Sequence, residues 1–70
     1  MKLSYKKLWK LLIDRDMKKK DLAEKAEVSS ASIAKLGRNE NVNTDILLRI
    51  CIALKCDISE IMEVVEDQDA

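Results

Sequence analysis

The chain is predicted to fold as a compact all-α domain of five helices, and three observations predict it. One glycine and no proline interrupt the seventy residues, so few breakers oppose helix. Apolar residues recur at spacings of three and four in several windows. Residues 19–38, KKDLAEKAEVSSASIAKLGR, read as two short helices joined by a tight turn. With 47% hydrophobic and 37% charged residues, the composition argues against a disordered chain. Seventy residues make one domain with a small stability margin unless it oligomerises. The folded domain is expected over residues 1–65, with 66–70 as an acidic flexible tail.

Ser4 can cap a first helix running to about Arg15, with Leu8, Leu11 and Leu12 inward, Lys6, Lys7 and Lys10 outward, and Trp9 at the edge. Residues 14–17 connect it to a second helix that starts near Lys18. That start lacks a Ser/Thr cap, and Asp21 in the first turn partly compensates through the helix dipole. Ser29 is placed as N-cap of the third helix, which Gly37 or Asn39 can end in a left-handed conformation. Asn43 or Thr44 caps a fourth helix with Ile46, Leu47, Ile50, Cys51 and Leu54 in one stripe. Leu48 and Ile52 fall outside that stripe and need a cover. Asp57 and Glu60 form a capping-box-like start for a fifth helix, along which Ile58, Ile61, Met62 and Val65 repeat at helical spacing.

Within residues 19–38 the pattern is that of a helix-turn-helix. Steeply crossing helices need a small residue where their backbones approach, and Ala23 can fill that role. Val28, Ile33 and Leu36 supply the apolar face that anchors the second of the two helices. Its opposite face is Ser30, Ala31, Ser32 and Lys35. One departure stands in the turn, against the helix-turn-helix family that this run resembles: Glu27 occupies a place commonly held there by a left-handed glycine. A non-glycine residue there costs on the order of 1 kcal/mol, so either the turn is reshaped or some stability is given up.

The run DLAEKAEVSSASIAKL resembles the phage-repressor-like (Cro/cI-type, Xre family) helix-turn-helix regulators, over about Leu8 to Ile61. Tyr5 to Met17 is similar to the first helix of the small stand-alone bacterial members. The resemblance implies a lambda-repressor-like fold and a sequence-specific double-stranded DNA-binding transcriptional regulator, with repression the expected sign. It also implies that the third helix enters the major groove while the helix before it crosses the backbone.

On that reading Ser30, Ala31 and Lys35 are the base-contacting residues, with Ser32 as a helper. Lysine reaches guanine acceptors, serine donates or accepts, and an alanine methyl meets a thymine methyl. Lys19 aims at a phosphate from the start of the second helix; Lys18, Lys20, Ser29 and Arg38 flank the same surface as further phosphate contacts. A capped helix start and solvated charges could explain any one of these residues, but the set favours DNA.

Zero net charge conceals a division along the chain. Residues 1–38 hold eleven Lys/Arg against five Asp/Glu, giving plus six, and residues 39–70 hold two against eight, giving minus six. The basic half carries the helix-turn-helix, which suits phosphates. Two half-sites imply a homodimer, placed on the apolar surplus of Leu48, Ile52, Ile61, Met62, Val64 and Val65.

An enzyme is not expected, because there is no histidine, no glycine-rich phosphate loop and no cysteine with a plausible base. Cys51 and Cys56, five apart, fit neither a zinc-ligand spacing nor a redox CxxC pair, and Cys51 reads as a core residue. No metal, cofactor or small-molecule ligand is expected. No apolar run approaches a membrane span, and a cytoplasmic location is expected. The competing reading is a protein-interaction module, such as an antitoxin or anti-repressor component, which would expose apolar residues on the third helix.

Overall fold

Apolar side chains from both ends of the chain meet those of four helices in a single core. The structure, a computed structural model, describes residues 1–66. In chain order the elements are β1 (Lys2–Ser4), α1 (Lys6–Asp14), α2 (Lys19–Ala26), α3 (Ser30–Gly37), α4 (Thr44–Leu54), a 3₁₀ turn (Ile58–Glu60) and β2 (Glu63–Val65). Tyr5, Leu8, Leu12, Leu22, Ala26, Ile33, Leu36, Leu47, Ile50, Leu54 and Ile61 form the buried centre. The stripes expected on the first four helices therefore point where expected, and α2 is packed between α3 and α4.

The expected fifth helix does not form. Its start does: the Asp57 amide donates to the Glu60 carboxylate at 2.8 Å, and the Ser59 amide donates to Asp57 at 3.3 Å. Only one 3₁₀ turn follows, after which Ile61 drops into the core and the chain extends. Glu63–Val65 then pairs antiparallel with Lys2–Ser4, in the register Lys2 to Val65, Leu3 to Val64 and Ser4 to Glu63. The β-branched Val64 and Val65 favour the extended backbone, and pairing satisfies amides that a helix would otherwise have used. The domain is thus mostly helical, with four α-helices and a two-stranded ribbon among the described residues. Apart from Glu66, the expected acidic tail lies outside the described residues.

Caps follow the sequence closely. The exception is α1, whose N-cap is Tyr5 without a side-chain bond and not the expected Ser4, which ends β1 one residue earlier and whose hydroxyl accepts the Lys6 amide at 3.3 Å. Ser29 Oγ accepts the Ser32 amide at 3.1 Å, and Asn43 Oδ1 accepts the Asp45 amide at 3.4 Å. The Lys18 amide donates to Asp21 at 2.9 Å, so Asp21 stabilises the start of α2 by a direct bond as well as by its charge.

All four helices end in the same way, and none uses glycine. Asp16, Glu27, Asn39 and Lys55 each take a left-handed conformation with φ of 54–57°. The following amides of Met17, Val28, Glu40 and Cys56 return to the carbonyls of Leu12, Ala23, Lys35 and Cys51 at 2.9–3.1 Å. Asp and Asn tolerate that conformation, whereas Glu27 and Lys55 bear most of its cost. Glu27→Gly and Lys55→Gly are each expected to stabilise the domain by about 1 kcal/mol, raising the melting temperature by about 4–8 °C apiece. Calorimetry on the single and double variants checks this, with additive gains expected because the two turns close different helices.

Candidate nucleic-acid interface

The two helices of the motif, α2 and α3, are joined by residues 27–29. Glu27 keeps the left-handed turn, so the turn is not reshaped and the strain is carried. A cation from α4 secures it: Arg49 Nη1 donates to the Glu27 carbonyl at 3.1 Å while its Nε donates to Asp45 at 3.0 Å. Ala23 and Val28 are half-buried against the core, and Ile33 and Leu36 are buried, which fixes the outward face of α3.

That face carries Ser30, Ala31, Lys35 and Arg38, all exposed. Ala34, also exposed, completes the stripe, three residues after Ala31 and four after Ser30. Its spacing was legible in the sequence, and it was missed because alanine carries no hydrogen-bonding group. Side chains on the face are short except at its far end, so a surface docking there could approach the helix backbone closely. Ser32 is half-buried, and its hydroxyl lies 3.0 Å from that of Ser29. One serine therefore caps the helix and orients the other.

Lys18, Lys19 and Lys20 are exposed at the start of α2. With Ala23, Glu24, Ser30 and Ile33, Lys19 and Lys20 line a mostly apolar groove of about 310 Å³ between α2 and α3. Lys19 Nζ lies 4.5 Å from the centroid of the Trp9 ring. Sequence reasoning placed Trp9 at a helix edge and gave it no part here.

Arg38 does not stand free. Its Nε donates to Glu40 Oε2 at 2.7 Å and its Nη2 to Oε1 at 3.4 Å. The hydrogen bond from Arg38, with the charges of Arg38 and Lys35, holds the Glu40 carboxyl below its usual range, and the same bond raises the Arg38 guanidinium. Glu40 thus accompanies two of the cations on the α3 side.

The residues expected at a dimer interface divide. Leu48 and Ile52 are 57% and 67% exposed on one face of α4, and Val64 is 61% exposed on β2. Met62 is half-buried against the core and Val65 half-buried opposite Lys2. Ile61 is fully buried, so it is a core residue and is not open to a partner. Leu48 and Ile52 border a groove of about 480 Å³ with Cys51, Cys56 and Glu60. Burial pushes both thiols up, Cys51 to about 11, which leaves them protonated and poorly nucleophilic at neutral pH. Among the described residues no group of three or more His, Cys, Asp or Glu could hold a metal ion, and no helix is long and apolar enough to cross a membrane.

A buried scaffold presenting the polar face of a capped second helix beside a lysine-rich helix start is a helix-turn-helix of the DNA-binding type. The chain belongs to the Cro/C1-type HTH DNA-binding domain family, whose model matches residues 7–67. It is similar in structure to the transcriptional regulator VanUg, in its crystal structure of Form II, at 55% sequence identity and a TM-score of 0.89. That likeness covers 94% of this chain and 88% of the other. Comparison with curated proteins finds no match.

Proposed function

We propose that the chain is a cytoplasmic, sequence-specific regulator of transcription, not an enzyme, that reads double-stranded DNA as a homodimer and represses. The observation that carries this reading is the exposed stripe of α3. Ser30, Ala31, Ala34 and Lys35 offer hydroxyls, methyls and one ammonium to base edges, without a large apolar side chain among them. A face built to hold a protein partner would expose apolar residues there, which disfavours the antitoxin or anti-repressor alternative. Lys18, Lys19, Lys20, Ser29 and Arg38 flank the stripe and serve as phosphate contacts, while Ser32 supports the reading face through Ser29. Similarity to a transcriptional regulator supports the regulatory role.

For the dimer, Leu48 and Ile52 are the favoured contact, one turn apart on α4 and both exposed. Val64 is open to the same use, and Met62 and Val65 would contribute only at its margin.

The division of labour is testable. Lys35→Ala is expected to relax preference at particular base positions, by about 1–3 kcal/mol for the preferred base, whereas Lys19→Ala weakens binding to all sequences about equally. Lys19→Ala also lowers the salt slope by about one per subunit. Anisotropy titrations on the preferred site, single-base variants and unrelated DNA distinguish these, and equal sequence-blind losses from both variants would contradict the assignment.

Glu40 opposes the same phosphates. Glu40→Gln frees Arg38 and removes a negative charge beside Lys35, so affinity for any duplex is expected to rise and the salt slope to steepen by up to about one per subunit. A titration series across ionic strength reads both, and an unchanged slope would show that Arg38 takes no phosphate.

A further inference from the structure

Three elements converge on the Lys19 ammonium. It lies over the half-buried Trp9 ring of α1 at 4.5 Å, within the range of a cation–π contact. It also lies beside Gly37, the last residue of α3, where a Cβ would sit 3.6 Å from Nζ. Gly37 does not have a positive φ, so the only glycine of the chain is not there for backbone freedom. A Cβ there would meet the ammonium in ordinary van der Waals contact, so only a side chain larger than alanine's could crowd it. The dipoles fit too: Lys19 begins α2, where the helix end is positive, while its ammonium reaches the end of α3, which is negative.

We infer that Trp9 is a positioning residue that holds the Lys19 ammonium, beside Gly37 at the end of α3, ready for one DNA phosphate, a role that rests on the DNA-binding reading above. A lysine on an open helix start samples many rotamers and loses that freedom on binding. One already seated on an indole face and beside a helix end loses less, and so binds more tightly with no added contact. The same seat ties the cation to α1 and α3, so its distance from the base-reading face is fixed by the core. Trp9 makes no claim on sequence; it acts through Lys19 on phosphate alone.

A double-mutant cycle tests this on the full chain, with duplex DNA as the probe. Trp9→Leu is expected to weaken binding to every sequence about two- to fivefold per subunit, the range a surface cation–π contact supplies, while the salt slope stays unchanged because the charge remains. Trp9→Phe keeps an aromatic face and should recover most of the loss. In a Lys19→Ala background, Trp9→Leu should have no further effect. Gly37→Val, which places a branched side chain at the ammonium, should mimic Trp9→Leu in the Lys19 background only. Equal losses from Trp9→Leu with and without Lys19 would overturn the inference and leave Trp9 a packing residue, and so would no loss at all. Melting curves restrict the cycle to folded variants; if Trp9→Leu does not fold, the Trp9→Phe and Gly37→Val arms decide. The seat is also visible without DNA, as upfield ring-current shifts of the Lys19 side-chain protons that vanish in Trp9→Leu. Shifts present in a protein that binds no duplex would mean that the DNA reading fails and the phosphate role with it, although the seat exists. Absent shifts in a protein that does bind would overturn the positioning alone.

Discussion

Ile61→Ala is expected to lower the stability of the domain by about 2–5 kcal/mol, enough to leave much of a seventy-residue chain unfolded near body temperature. Ile61 follows the 3₁₀ turn and is the last fully buried side chain before β2. Truncation removes its transfer free energy and leaves a cavity among neighbours held by α1 and α4, both of which meet the turn. Urea unfolding followed by circular dichroism should show a lower midpoint with an unchanged slope. Were Ile61 part of an exposed interface, the monomer would change by no more than about 0.5 kcal/mol, with the loss appearing in self-association.

The opposite pattern is expected of Leu48→Glu with Ile52→Glu. Both side chains are exposed, so the monomer should stay within about 0.5 kcal/mol of the parent per site. In a symmetric contact the new carboxylates would meet one another and apolar surface, unpaired, which a dimer does not tolerate. Binding to a two-fold site should fall by about 10²–10⁴ as the second half-site ceases to be an intramolecular event, while a single half-site is bound as before. Sedimentation equilibrium with footprint titration measures both. Cooperative binding that survives the double change would place the contact elsewhere, with the exposed Val64 of β2 the next surface to alter.

How much of this was legible beforehand depended on the distance over which each feature is decided. Helices α1 to α4 were legible because their signals are local. Ser29 and Asn43 cap within three residues, and Ile33 with Leu36, or Leu47 with Ile50 and Leu54, mark a buried stripe within one element. Most of the face of α3 followed from the same spacing, with Ser32 half-buried and Ala34 exposed in its place. The fifth helix failed because its decision is not local. Asp57 and Glu60 did form their cap, but Ile61 to Val65 is a short apolar run whose period does not separate helix from strand. Its partner, Lys2–Ser4, lies at the other end of the chain. Burial of Ile61 followed from that pairing and from the 3₁₀ turn, not from a helical stripe.

The left-handed caps at Asp16 and Lys55 carried no sequence flag, since neither is glycine, while Asn39 and the strained Glu27 were visible as candidates. Of the candidate site, the exposed face of α3 and the lysines were accessible from the motif. Its supports were not. Trp9 meets Lys19, and Arg49 meets the Glu27 carbonyl, only after α1 and α4 have packed on α2. The bond from Arg38 to Glu40 is close in sequence, yet it depends on the direction the chain takes after Asn39.

On the proposed function, the exposed face of α3 reads duplex DNA while the lysines of α2 hold the backbone. Selection from a random-sequence duplex pool at moderate salt, followed by titration of the best site across salt concentrations, tests it most directly. A two-fold symmetric site is expected, with an affinity that falls steeply with salt, at a slope near −0.9 for each phosphate neutralised and roughly four to six phosphates per subunit. A folded protein that enriches no sequence and shows no salt-dependent affinity for duplex DNA would contradict it.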